Sequence, residues 1–145
     1  MSIKNTILDN LKTSIEGINK NSGYNTTVNK VARSVIPIDQ MAENCPFVAV
    51  LEDRERMVCR DDTNVRFLLA VYLQCFTKVP ESDQQEDVTK LGDDIKTLFE
   101  SLDLGSYCLS ADIIETDLVQ VEESTEIGGL IFSIEITYYA PKASY

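Results

Sequence analysis

Acidic side chains are the residues of this sequence whose types and spacing come nearest to supporting chemistry. Three pairs of carboxylates are adjacent along the chain: Asp61–Asp62, Asp93–Asp94 and Glu122–Glu123. Two carboxylates that face one another can divide the roles of general acid and general base. Neighbouring residues on a strand or a helix point in different directions, so adjacency by itself does not create such a pair. We therefore interpret these residues as surface charges.

The composition gives no support to nucleophilic catalysis. The chain contains no histidine, which is the usual base near neutral pH. The sequence also lacks a P-loop and a G-x-G-x-x-G dinucleotide motif. We predict that the protein is not an enzyme. The alternative is a small enzyme with an acid pair hidden in a cleft.

Metal and cofactor sites are not predicted either. The run Asp61-Asp62-Thr63-Asn64 could offer oxygen ligands to calcium, but it lacks the glycine turn and the distal glutamate of an EF-hand loop. The cysteines form no C-x-x-C pair, and no histidine is present to complete a mixed zinc site. We expect free thiols at Cys45, Cys59, Cys75 and Cys108.

The charge of the chain limits its classes of partner. The formal net charge is −11 at pH 7, and acidic residues occur all along the sequence. Binding to nucleic acid gains its energy by neutralising phosphates, so sequence-specific DNA or RNA binding is not expected. The locally basic stretches contain Lys30 with Arg33, and Arg54 with Arg56 and Arg60.

A length of 145 residues predicts one domain spanning residues 1–145. No apolar run approaches the roughly 18 residues needed to span a bilayer. The N-terminal stretch has no apolar core followed by a small-residue cleavage site, so it does not have the form of a signal peptide. We expect a protein that stays inside the cell that makes it and has no membrane partner.

The chain is organised around a long strand near its C-terminus, Gly129 to Pro141. Its side chains, taken at period two, form one apolar row and one mixed row. The apolar row predicts a buried face and consists of Leu130, Phe132, Ile134, Ile136 and Tyr138.

Two amphipathic helices are predicted. The first has an apolar stripe at helical spacing from Ser2 to Ile18. The second follows Pro80, where Ser82 and Gln85 have the form of a capping box, and it runs to about Leu102. The core is predicted to contain Phe67, Leu69, Val71, Ile95, Leu98, Phe132, Ile134 and Ile136.

Further strands are indicated by β-branched and alternating residues. They are Tyr24–Ile36, FVAVLED from Phe47, Val65–Thr77 and Tyr107–Asp117. The IDQMAEN segment is predicted to be a loop. The charged stretch Glu52–Asn64 is predicted to form a projecting hairpin, and Leu118–Gly128 an acidic loop or arm. Both charged arms are expected to be mobile until a partner binds.

These elements predict an α+β fold. It is a single mixed or antiparallel sheet of four to five strands, with two amphipathic helices packed on one face and a projecting β-hairpin. Within Val65–Thr77, the row containing Leu68, Tyr72 and Phe76 is more apolar than a solvated sheet face needs. A covering layer or a subunit contact is therefore expected there. The candidate interaction residues are Arg54, Arg56, Arg60, Asp61, Asp62, Leu68, Tyr72, Phe76, Glu122 and Glu123.

The order of these segments resembles the tail terminator proteins of long-tailed bacteriophages. The similarity covers nearly the whole chain, and its most telling parts are the helix end DDIKTLFESLDLG and the closing strand IFSIEITYYAP. It is a likeness of architecture without a catalytic signature. Other tail-completion and head-tail joining proteins share much of it.

The resemblance implies a virion structural protein that forms a ring, usually a homohexamer, on the last ring of the tail tube. Such a ring stops tail polymerisation and offers a surface to the head connector, while DNA passes through its bore. It implies other copies of the chain, the tail tube protein and the connector or neck protein as partners, and no cofactor. The location would be the host cytoplasm during assembly and then the virion. The alternatives are another connector or tail-completion protein, or an interaction module unrelated to phages.

Overall fold

The long C-terminal strand lies inside a mixed sheet. The computed structural model describes residues 2–78, 84–120 and 127–142, with the backbone alone at residues 38, 39, 84, 85 and 120. The strands are β1 Lys30–Ala32, β2 Phe47–Arg60, β3 Asn64–Lys78, β4 Cys108–Gln120 and β5 Ile127–Pro141. The helices are α1 Ile3–Glu16, α2 Ile38–Asn44 and α3 Gln84–Glu100, with a short 3₁₀ turn at Lys20–Ser22.

The sheet order is β1-β2-β3-β5-β4. Strand β1 runs parallel to β2, and the other pairs are antiparallel. The predicted α+β class with one mixed sheet is therefore confirmed.

Strand β5 is paired along both of its edges. Its partners on β3 run from Asn64 opposite Pro141 to Lys78 opposite Ile127. On the other side β4 accompanies it from Cys108 to Gln120. The apolar row of β5 is buried, as its alternation predicts, and Phe132 is fully covered.

Helices α1 and α3 cover one face of this sheet. The apolar stripe of α1 is buried against β1 and β2, and that of α3 against β3, β5 and β4. The Ser2 hydroxyl accepts a hydrogen bond of 3.0 Å from the backbone N–H of Asn5, which caps α1. Helix α3 approaches β5 closely at Gly92, where an added Cβ would lie 2.6 Å from Leu130 Cδ1. Every residue of the predicted core is buried in this layer.

Helix α2 corrects the prediction of a loop at IDQMAEN. It packs on the opposite sheet face, where Met41 joins Phe47, Ala49, Phe76 and Ile127 in a second, smaller core. Met41, Ala42 and Cys45 are buried or partly buried there at helix-compatible spacing. The segment is short and largely polar, so its periodicity was too weak to outweigh the flanking prolines.

The predicted strand Tyr24–Ile36 is also corrected. Only Lys30–Ala32 pairs with β2. The preceding residues are held out of the sheet, because the backbone N–H groups of Asn25 and Thr26 donate hydrogen bonds to Asp94 of α3. A long-range contact, not visible in the local pattern, decides the conformation of this segment.

The hairpin predicted over Glu52–Asn64 exists but does not project. Strand β2 continues to Arg60, and the turn lies at residues 61–63. Strand β3 stays paired with β5 as far as Asn64. Residues Asp53 and Val58 lie at register shifts in β2, which interrupt the alternation that would have revealed the strand.

Truncating Phe132 to alanine should lower the free energy of unfolding by about 3–5 kcal/mol, because it leaves a cavity under α3. Chemical denaturation followed by circular dichroism measures this loss. Ile131→Ala, at the half-buried neighbouring position on the other face, is the matched control and should cost less. A loss below roughly 1 kcal/mol for Phe132→Ala would contradict the assignment of the buried face.

Candidate interaction surface

The prediction that the adjacent carboxylates are surface charges is wrong for Asp94. Asp93 is exposed on α3, whereas Asp94 is 2% exposed. The Asp94 carboxylate accepts hydrogen bonds from the backbone N–H of Asn25 at 2.9 Å and of Thr26 at 2.8 Å, and another from the Thr26 hydroxyl. Hydrogen bonds to a carboxylate are stronger than neutral ones, so Asp94 fixes this loop against α3.

Asp61 and Asp62 lie in the exposed turn between β2 and β3. Asp61 Oδ1 accepts hydrogen bonds from the backbone N–H groups of Asn64 at 2.6 Å and Thr63 at 2.8 Å, and these lower the pKa of Asp61. An oxygen engaged with N–H donors stabilises the turn instead of serving a cation. In residues 2–78, 84–120 and 127–142 no group of three or more metal-ligating side chains comes together. Glu122 and Glu123 lie outside the described residues.

All four cysteines carry free thiols. Burial raises the pKa of Cys45 to about 11 and raises that of the fully buried Cys75 further. A thiol is nucleophilic only when deprotonated, so these two are unreactive near neutral pH.

The charged segment of β2 is tied to the helix side of the sheet by its acidic residues. Glu52 Oε1 lies 2.6 Å from Lys4 Nζ of α1. Glu55 Oε2 accepts a 2.5 Å hydrogen bond from the Tyr138 hydroxyl of β5, and burial together with this bond raises the pKa of Tyr138. The prediction of a free, mobile arm is wrong for Glu52–Asn64, because its backbone pairs with β3 and its acids contact α1 and β5. The second predicted arm, Leu118–Gly128, is wrong at both ends, because Leu118 to Gln120 belong to β4 and Ile127 and Gly128 belong to β5. Its residues 121–126 lie outside the described residues.

The sheet face opposite α1 and α3 is covered by α2 at one end only. Beyond α2 its side chains are half-buried or exposed, and we call this surface the open face. Its apolar and aromatic members are Leu68, Ala70, Tyr72, Ile131 and Tyr139, and Leu51 lies at its border, packed against the cluster under α2.

The sequence predicted a covering layer or a subunit contact for Leu68, Tyr72 and Phe76. Phe76 is 5% exposed under α2, where its ring stacks on Phe47 with centroids 6.3 Å apart. Tyr72 is 38% exposed and Leu68 is half-buried, and both lie on the open face. The covering layer therefore exists for Phe76 and stops short of the other two.

Arginines occupy one side of the open face. Arg54 lies opposite Ala70, and Arg56 lies opposite Leu68. We call these two residues the basic strip. Arg60 lies opposite the buried Val65 and so belongs to the other face of the sheet. The three arginines that the sequence grouped together are thus divided between two surfaces.

Carboxylates occupy the other side of the open face. Asp112 lies opposite Glu135, Glu115 opposite Ser133, and Asp117 opposite Ile131. We call Asp112, Glu115 and Asp117 the acidic strip. The acidic strip was not predicted from the sequence, because a register shift at Ile114 brings these three residues onto one face, where a regular alternation would divide them.

The two strips are separated from one another within the chain. Strands β2 and β4 lie three strand spacings apart, roughly 14 Å at about 4.8 Å each. Among the described residues, neither strip has an ion-pair partner within 4.0 Å. Within the described residues, opposite charges on one surface are therefore left without a neutralising partner.

Comparisons with known proteins add no relative: no protein-family model matches the chain, and no curated protein matches it. The likeness to tail terminators rests on the sequence segments alone. Within the part of the chain that the structure describes, no helix is long and apolar enough to cross a membrane.

Replacing Asp112 by lysine should raise the free energy of unfolding by about 0.2–1 kcal/mol, because it turns a like-charge cross-strand pair with Glu135 into an opposite-charge pair. Urea denaturation measures the change. Asp117→Lys makes the same change of charge opposite Ile131 and should have the smaller effect. An Asp112→Lys protein less stable than the unmodified chain would contradict the register of β4 on β5.

Proposed function

We propose that this protein is a virion structural subunit that assembles with its own copies into a ring, caps the tail tube of a long-tailed phage and ends tail polymerisation. The exposed surface of the ring would receive the head connector. This is the role implied by the resemblance over nearly the whole chain. The protein would act by shape and surface charge, without catalysis or a cofactor, first in the host cytoplasm and then in the virion.

The open face is the observation that carries the proposal. An isolated domain gains stability by keeping apolar side chains away from water, yet Tyr72 is 38% exposed between half-buried apolar neighbours. Continuous half-apolar surfaces of this kind mark interaction sites. Helix α2 covers only one end of this face, so room remains for another molecule.

The net charge is compatible with a ring around DNA. A net charge of −11 per subunit repels phosphates, so a genome could slide through the bore without binding to its wall. The charge supports the proposal together with the open face and the resemblance.

Deletion of the gene in its phage tests the function directly. Tails of unregulated length without heads are the expected result, and complementation by the intact gene should restore normal particles. Normal tails in the deletion strain would remove the protein from tail termination. Tails of normal length that lack heads would point instead to a connector or tail-completion role.

Tyr72→Lys should weaken assembly while leaving the fold intact, because it places a charge in the middle of the open face. Size-exclusion chromatography with light scattering, over a range of concentrations, measures the association. Thr13→Lys, on the exposed side of α1, is the matched control. Assembly of Tyr72→Lys at every concentration at which the unmodified chain assembles would place the contact elsewhere.

A further inference from the structure

We infer that copies of this chain dock edge to edge, with the outer edge of β2 in one copy against the outer edge of β4 in the next. The inference rests on the self-assembly proposed above and names the surfaces that make the contact. The partner is a second copy of the same chain.

Both edges are free in the described part of the chain. Strand β1 pairs with β2 only at Phe47–Ala49, so β2 has no further strand beside it from Arg54 to Arg60. Strand β4 is the last strand of the sheet on the other side. Free strand edges present unpaired N–H and C=O groups, which are a template for another chain.

Exposed apolar side chains lie along both edges. On β2 these are Met57 and Val58, exposed by 48% and 51%. On β4 they are Leu109, Ile114 and Leu118, exposed by 48%, 57% and 73%. The register shifts of β2 and β4 leave three of these residues without a cross-strand partner, namely Val58, Leu109 and Ile114. Removing them from water would favour a contact between the two edges.

The charges select which edges can meet. Two β2 edges would bring Arg54 and Arg56 against the same arginines of the other copy. Two β4 edges would bring the acidic strips together. Only β2 against β4 places the basic strip beside the acidic strip, where cross-strand charge pairs are favourable.

Charged side chains on edge strands often prevent the pairing of two sheets. Charges of one sign on both edges would oppose every pairing. Here the charges of β2 that the pairing assigns to the open face, Arg54 and Arg56, are basic, and those of β4 are acidic. Glu55 of β2 is engaged with Tyr138 on the other face, and Asp53 lies at a register shift without a partner on β3. This arrangement opposes like-edge pairing and permits the unlike one.

The direction of the strands agrees with this contact. Three antiparallel pairings separate β2 from β4, so the two strands run in opposite directions. A neighbouring copy placed with its β2 beside β4 therefore continues the antiparallel order and keeps both open faces on one side. The contact joins two different surfaces, so it repeats from copy to copy and produces a closed ring or an open filament.

Charge exchange tests the contact. One variant reverses the basic strip, Arg54→Glu with Arg56→Glu, and a second reverses most of the acidic strip, Glu115→Lys with Asp117→Lys. Each variant alone would face like charges and should associate at least about tenfold more weakly than the unmodified chain. An equimolar mixture should assemble again, because the reversed β2 edge of one variant matches the reversed β4 edge of the other. Native mass spectrometry should find equal numbers of the two variants in each closed complex.

Lys96→Glu, which reverses a charge on the exposed side of α3 away from both edges, should assemble normally. Thermal unfolding checks that every variant is folded. If a reversed variant fails to fold, Arg54→Gln with Arg56→Gln replaces it and should still weaken assembly. Unmodified protein that remains monomeric up to its solubility limit would overturn both this contact and the proposed self-assembly. An unmodified chain that assembles, with reversed variants that assemble equally well or a mixture that fails to recover, would overturn the edge contact alone.

Discussion

The structure depends on the requirement that β5 be buried on one face and paired along both edges. The buried row of β5 packs against α3. The helix can approach the strand closely because Gly92 has no side chain that would contact Leu130. Gly129 meets a similar restriction on the other face, since an added Cβ would lie 2.9 Å from the carbonyl oxygen of Cys75 and from the Phe76 ring. The two helices can cover only one face of β5. The composition of the opposite face then decides what else the molecule must contact.

Elements with a strong period were predictable from the sequence, and those set by distant contacts were not. The stripes of α1 and α3 and the alternation of β3 and β5 are long enough for burial to dominate local propensity. Helix α2 has a single buried methionine and depends on Phe47 and Phe76 for its position. The irregular segment before β1 depends on Asp94, which is far away in sequence. No local pattern contains the information that places either one.

Only the central, apolar part of the open face, on β3, was predictable from the sequence, and the charged strips on β2 and β4 were not. The excess apolarity of Leu68 and Tyr72 was visible in β3, which has no register shift with β5. The two shifts in its pairing with β2 skip residues of β2 only, so β3 keeps its period. Strands β2 and β4 each contain two irregularities, and every shift moves the following residues to the other face. If side chains alternated regularly along β4 from Asp112, Asp117 would lie on the helix side of the sheet. Regular alternation along β2 from Leu51 would likewise place Arg54 on the helix side. The charges that flank the surface can therefore be assigned to a face only once the pairing of the strands is known.

Asp112 lies opposite Glu135, so two carboxylates form a like-charge pair across β4 and β5. A cross-strand pair of like charges lowers the stability of a domain. In the described part of the chain, neither carboxylate forms an ion pair with a Lys or Arg side chain. The arginines of the basic strip likewise have no carboxylate partner within 4.0 Å in the described part of the chain. A subunit of net charge −11 is repelled by its copies at long range, so any self-association needs local attraction at the contact. Strips of opposite sign on opposite edges can supply that attraction. The charges that the isolated sheet leaves unsatisfied are the ones that a neighbouring copy would neutralise.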